Sequence, residues 1–185
     1  MLFRGLLQRE LPALQWGAVF RALRVMELGG EVLAGHFFAG IPGLQFISVA
    51  AYRRLTAGMS EDALYWVNAA DPASLCGVDV VGLKSLLPAR HATTYLAFQG
   101  ARLTLVARRG GKDLTFHLAD DHPDLGRHLD VLRHLLTRGA QPASSIDVET
   151  INDEPALDSP YVGRLAESFR ITREPKTVKL WKRYE

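Results

Sequence analysis

The feature that most constrains this chain is a change of hydrophobic period partway along it. Over residues 15–27, Trp16, Val19, Phe20, Leu23 and Met26 recur at the spacing of one helical face, while Arg21 and Arg24 lie off that face. From Leu64 onward the apolar residues come instead in short runs, at 64–67, 94–98, 102–106 and 114–118. Gln99-Gly100 and Arg109-Gly-Gly-Lys112 separate them, and the segment reads as a meander of hairpins. A helical start followed by such runs implies an α+β chain with a mainly antiparallel sheet or small barrel.

Glycine and proline punctuate the first part. Gly29-Gly30 ends the first helix, residues 31–39 are apolar and rich in strand formers, Gly40-Ile-Pro-Gly43 supplies a turn, and residues 44–47 return as a strand. Ser48 is placed to cap a second helix at 49–56, with Val49, Tyr52 and Leu55 on one face and Arg53 and Arg54 away from it. With a helical stub at 3–8, this is the element order of most of a winged-helix module. In such a module the helix before the hairpin enters a nucleic-acid groove and the hairpin tip touches backbone. A complete module has a further helix upstream, and residues 1–57 are few for an independent core. The expectation is therefore a partial winged helix at 1–57, an α+β domain at 58–185, and an excerpt of a longer protein.

The second part carries two or three helices. Residues 123–139 form one, opened by Pro123, striped by Leu125, Leu129, Leu132 and Leu136, and closed by Gly139. Residues 146–151 alternate like a strand, Ser159-Pro160 opens a short helix to Glu167, and residues 178–181 alternate again.

With 185 residues, 48% of them hydrophobic, the chain has material for one sizeable core or two small ones. The single cysteine, Cys76, excludes an internal disulfide framework and fits a reducing cytosol; as a residue it reads as a small buried hydrophobe. No apolar run is long enough to span a bilayer and no secretory leader pattern opens the chain, so no membrane partner and a cytoplasmic location are expected. The formal net charge of +2 conceals a basic start and a basic end around an acidic middle. Within 1–57, Arg4, Arg9, Arg21, Arg24, Arg53 and Arg54 face only Glu10, Glu27 and Glu31; within 169–185, Arg170, Arg173, Lys176, Lys179, Lys182 and Arg183 face Glu174 and Glu185. Such asymmetry points toward a polyanionic partner, although ordinary solvated surface explains it too.

Three ordered blocks add a family resemblance. The segment 21–46, with its leucine-rich helix, Glu27-Leu-Gly-Gly-Glu31, Gly35-His-Phe37 and Gly43-Leu-Gln-Phe46, resembles the winged-helix region of large helicase-related superfamily 2 helicases. Asp71-Pro-Ala-Ser-Leu-Cys-Gly77 is similar to the Asp-Pro-x-Asn-Leu-x-Gly of the DEAD/H-associated domain that follows it in that family. Ile151-Asn-Asp-Glu-Pro-Ala-Leu-Asp-Ser-Pro-Tyr161, then Leu165 and Phe169, resembles its Ile-Asn-Gly-x-Pro-x-x-x-Ser-Pro block. The chain departs at His36 (usually arginine), Leu44 (acidic), Ser74 (asparagine), Asp153 (glycine) and Ser168 (glycine). The sequence contains neither the phosphate-binding loop nor the Asp-Glu-x-His block of a motor. The resemblance thus implies an accessory region that guides single-stranded DNA or RNA and packs on motor domains in the same parent chain. ATP and magnesium would belong to those domains, with no cofactor in this chain.

The candidate nucleic-acid contacts are Arg21, Arg24, Arg53 and Arg54 for phosphates, His36 at the hairpin, and Lys179 and Lys182 in the basic C-terminal strand. That strand reads equally as a lysine-protected edge. Phe37 and Phe38, in a strand, and Trp16 and Trp66 read as core. His122, His128 and His134 recur every six residues, about 600° around a helix, which does not make a metal face. No metal site is expected. Asp120, Asp121 and Asp124 are placed to favour the start of that helix. Asp147, Glu149, Asp153 and Asp158 are the carboxylates that an alternative reading, a base glycosylase acting on a flipped base, would draw on. A third reading is a structural platform that touches no nucleic acid.

Overall fold

The computed structural model describes residues 1–8, 10–78, 80 and 82–183. Its backbone divides into two compact units, one formed by Met1–Met59 with Leu75–Ala89 and the other by Ser60–Ser74 with Arg90–Glu185. Both mix helix and strand, so the chain is α+β with a winged-helix start.

In the first unit, short 3-10 turns at Arg4–Leu7 and Pro12–Leu14 lead into α1 (Trp16–Leu28), a hairpin of β1 (Val32–Gly35) and β2 (Gln45–Ser48), and α2 (Val49–Ala57). The expected stub at 3–8 is thus a single tight turn. Leu2 exchanges both backbone hydrogen bonds with Phe46, at 2.7 and 2.9 Å, so that it extends the hairpin by a one-residue third strand. The core is small: Leu23, Val32 and Phe46 are buried, with Trp16, Val19, Phe20 and Met26 packed against them. The rings of Trp16 and Phe20 lie 6.2 and 5.8 Å from that of Phe46. Trp16 is therefore a packing residue, as its position in the stripe implied.

Two expectations fail here. The strand read at 31–39 stops at Gly35, and residues 36–44 form a loop, because the side chain of Gln45 takes the backbone groups that a longer ladder would have used. Phe38, removed from the strand, is 41% exposed rather than core. The face of α2 that carries Tyr52 and Leu55 is likewise exposed, and the helix buries no residue. Further along the same unit, α3 (Leu83–Leu86) is a single turn.

The second unit holds an open six-stranded sheet in the order β3-β4-β5-β6-β8-β9, where β3 is Leu64–Asn68, β4 Tyr95–Gln99, β5 Arg102–Arg108, β6 Asp113–Phe116, β8 Thr150–Ile151 and β9 Glu154–Pro155. Among the described residues the strands close no barrel, so the sheet alternative holds and the barrel one does not. All neighbours are antiparallel except β6 and β8, joined by a crossover that contains α4 (Leu125–His128), α5 (Asp130–Thr137) and β7 (Ile146–Val148). A second sheet has the order β10-β11-β7, with β10 at Arg170–Arg173 and β11 at Val178–Trp181. The strand read at 146–151 is therefore shared: its first half pairs in one sheet and its second half in the other.

The leucine stripe does what its spacing implied. Leu125, Leu129, Leu132 and Leu136 are all buried in one cluster with Leu105, Leu114, Ile146, Val148, Leu165 and Leu180, each such side chain contributing about 1.5–3 kcal/mol. The expected single helix is nevertheless two, broken at Leu129, and Asp124 makes no side-chain cap at its start. Helix α6 (Tyr161–Ser168) follows the Ser-Pro block as read. Trp66 packs on the core, with its ring 4.3 Å from that of His134. Strand β11 is central in its sheet, which removes the edge-strand explanation for Lys179, the one lysine within it. Among the described residues no helix is long and apolar enough to cross a membrane.

Candidate nucleic-acid interface

The candidate surface of the first unit is built on α1, the hairpin loop and α2. The apolar stripe of α1 turns Leu23 into the core and leaves Arg21 and Arg24, one turn apart, exposed. Arg24 is paired with Glu27; among the described residues no carboxylate meets Arg21.

Gln45 organises the loop. Its side chain is fully buried, and its Oε1 accepts hydrogen bonds from the Phe37 and Phe38 backbone N–H groups at 3.1 and 2.9 Å. Its Nε2 donates to the carbonyls of Phe38 and Ile41 at 2.9 and 3.2 Å. Four backbone groups that the loop would otherwise leave unpaired are thus satisfied by one side chain. Phe37 folds beneath Gly35, whose added Cβ would stand 3.3 Å from the ring, and meets Tyr52 of α2 at 5.7 Å between ring centroids. His36 and Phe38 on either side of it are left exposed.

Ser48 caps α2 as read, accepting from the Ala51 backbone N–H at 3.2 Å. Arg53 and Arg54 are exposed, and among the described residues neither meets a carboxylate. The Phe37–Tyr52 contact ties the loop carrying His36 to the helix carrying Arg53 and Arg54. No hydrogen bond, ion pair or ring contact among the described residues joins Arg21 and Arg24 to that group.

A helix, a hairpin whose loop is pinned from within, a third-strand bridge and a capped second helix form the arrangement of a winged helix. Residues 1–67 match the family model of the large helicase-related protein winged-helix domain. The resemblance read from 21–46 is thereby established for this segment. No curated protein matches the chain.

Beyond the winged-helix segment, the structure places the two candidate lysines differently. Lys179 stands between Glu174 and Asp147, at 3.0 and 3.3 Å, and lies over the Trp181 ring. Hydrogen bonding to Glu174, then to Asp147, holds its pKa above the ordinary lysine value. Its charge is already matched. Lys182 is exposed and lines two adjoining grooves of about 780 and 1000 Å³, together with Phe169 and Arg183. Arg170, Arg183 and Arg133, which contribute to those grooves, carry no motif and come together only through the pairing of β10 with β11 and the end of α6.

Two of the four carboxylates, Asp147 and Glu149, are paired with basic side chains. Glu149 is held below the usual glutamate range, first by its hydrogen bond from Arg109 and then by Lys112, which opposes a proton-donor role. Asp147 pairs with Lys179, Asp153 occupies a tight turn, and Asp158 is exposed. Among the described residues no group of three or more histidine, cysteine or acidic side chains is arranged to hold a metal ion.

Proposed function

We propose that this chain is an accessory region of a large helicase-related type of helicase that guides single-stranded DNA or RNA along its winged-helix segment. The match over 1–67 carries the reading, and it supports a helicase-associated region in its own right. The chemistry of the surface agrees with it. Arg21, Arg53 and Arg54 keep their charges unmatched by carboxylates among the described residues, and phosphate neutralisation by such groups releases counterions whatever the base sequence. His36 and the ring of Phe38 are exposed on the loop that the Phe37–Tyr52 contact ties to α2, where a hydrogen bond or a stack against an unpaired base is available. Residues 58–185 would form the DEAD/H-associated domain. The exposed apolar side chains Tyr52 and Leu55 would pack on motor domains of the parent chain, which would supply the ATP and magnesium chemistry.

The test is salt-dependent binding of a labelled single-stranded oligonucleotide by fluorescence anisotropy. Arg53→Glu with Arg54→Glu should weaken binding alike for all sequences and lower the salt slope by about 0.7 for each phosphate that is no longer neutralised. Arg21→Glu should act in the same direction, and Arg24→Glu less, since Arg24 already holds Glu27. Wild-type affinity in the combined α1 and α2 variants would overturn the assignment of this face.

A further inference from the structure

The outer face of the small sheet in the second unit lies outside the winged-helix segment and has a chemistry of its own. In the β10–β11 pair, Arg170 lies opposite Trp181 and Thr172 opposite Lys179, while Ile171 lies opposite the buried Leu180. The pleat therefore sends Ile171 and Leu180 to the core and turns Arg170, Thr172, Lys179 and Trp181 outward together. Trp181 is an exposed indole at 36%, although tryptophan normally packs inward; Lys179 holds it from one side, with Nζ 5.6 Å from the ring centroid. Past Trp181 the chain is folded back by Arg183, which donates to the Glu167 carbonyl oxygen at 2.8 Å.

The result is a groove of about 780 Å³ that contains Arg170, Thr172, Trp181, Lys182 and Arg183, with no acidic side chain among its described lining residues. It adjoins the second groove, where Arg133 donates to Ser168 Oγ at 3.1 Å. The carboxylate there, Glu167, is occupied by Arg164 at 2.9 Å. Ser168 stands where the family pattern has glycine, so this departure supplies the hydroxyl that positions Arg133.

We propose that this groove is a second binding site for a single-stranded polynucleotide, in which an unpaired base stacks on Trp181 and phosphates meet Arg170 and Arg183. The site deepens the proposed function, on which it rests for the class of ligand. A single strand is the fitting ligand because an exposed aromatic plane beside cationic side chains serves both halves of a nucleotide, whereas bases in a duplex offer no free face to stack.

Full-length chain would be titrated with fluorescein-labelled oligothymidylate and oligouridylate. Trp181→Ala should weaken binding about tenfold, with Trp181→Phe retaining most of it. Arg170→Glu with Arg183→Glu should weaken binding and lower the salt slope by about 1.4. Arg170→Glu alone, at an exposed side chain, keeps the test valid if the tryptophan variant folds poorly. Wild-type affinity in all groove variants, with loss in Arg53→Glu/Arg54→Glu, would overturn the groove and leave the winged-helix reading intact. Loss in the groove variants alone would support the groove and count against the winged-helix face. Failure of the unaltered chain to bind either polymer would overturn both.

Discussion

The Gln45 side-chain amide and the Phe38 backbone form a reciprocal pair, with Phe38 N–H donating to Oε1 and Nε2 donating to the Phe38 carbonyl, each at 2.9 Å. A buried amide that spends all its hydrogen-bonding capacity on one loop acts as a template for that loop. It explains why a glutamine occupies a strand position facing the core, and it fixes the backbone next to His36. Replacing Gln45 with leucine would strand the Phe37 and Phe38 amides and the two carbonyls, at a cost of about 2–4 kcal/mol. Hydrogen exchange read at the Phe37 and Phe38 amides should accelerate by two orders of magnitude or more, while amides in α5 stay protected. Unchanged protection would show that the loop holds itself.

The turn between β8 and β9 is two residues, Asn152 and Asp153, with φ of 53° and 66°. Both positive values make it the hairpin turn that favours Asn-Gly, and the chain has aspartate at the second position. Asp153→Gly should stabilise the second unit by about 0.5 kcal/mol, because relief of the left-handed strain outweighs the added chain entropy. Asn152→Ala should do the opposite by about 1–3 kcal/mol, since Asn152 Oδ1 accepts the Phe116 backbone N–H at 2.8 Å. Urea midpoints of the two variants should move in opposite directions.

Local patterns carried much of this architecture and failed where distant residues intervened. The stripe of α1, the Ser48 cap and the leucines of α4 and α5 were legible because spacing alone decides which side of a helix is apolar. The early end of β1 was not, since it depends on a side chain ten residues later, and neither was the exposure of Phe38 that follows from it. Alternation over 146–151 puts Ile146 and Val148 on one face, and both are buried, but it assigns Ile151 to the other face, and that residue is buried too. The alternation could not tell that two sheets divide the segment. The central place of β11, which pairs Lys179 with Asp147 and sets Trp181 beside Arg170, is a matter of strand order, and strand order has no local signal. The candidate arginines could be named because they lie off the apolar faces of their helices, in a segment that falls within the matched 1–67, and the C-terminal lysines could be named from their clustering; the grouping of Arg170 and Arg183 beside Trp181 depends on strand pairing and could not.

Gly111 offers a sharper test of packing between elements. It has φ of +97°, and a Cβ built on it would stand 2.8 Å from Ile146 Cγ2. Gly111→Ala therefore combines backbone strain with a clash against a side chain that is itself buried, and should cost about 2–4 kcal/mol. In an Ile146→Ala background the clash is gone and only the strain remains. The alanine at position 111 should then cost at least about 1 kcal/mol less, a coupling that a double-mutant cycle in urea would read. Additive effects would show that the β5–β6 turn yields without disturbing β7.

His128 should make the second unit acid-sensitive. The side chain is 2% exposed, and its Nδ1 lies 3.0 Å from Thr104 Oγ1. Thr104 has one hydroxyl hydrogen, which it donates to the Ala97 carbonyl at 3.0 Å, so the imidazole must be the donor through Nδ1–H. The lone pair is left on Nε2, which is buried without a hydrogen-bond partner among the described residues. Burial, reinforced by His122 and Arg127 and opposed by Asp124 and Asp130, lowers the pKa below the ordinary histidine value. Below about pH 6.5 the unfolded chain takes up a proton that the folded chain resists, so stability is lost as pH falls from there toward the lowered folded-state value. Above about pH 6.5 both forms are neutral and this residue imposes no slope. Urea midpoints followed from about pH 7.5 to about pH 5 should fall, and His128→Asn, which retains a donor for Thr104 without a titrating group, should flatten the part of that slope nearest about pH 6. An identical slope in the variant would transfer the acid sensitivity to the carboxylates held by Arg109, above all Asp113, whose pKa is lowered chiefly by that arginine and whose contribution is lost at lower pH.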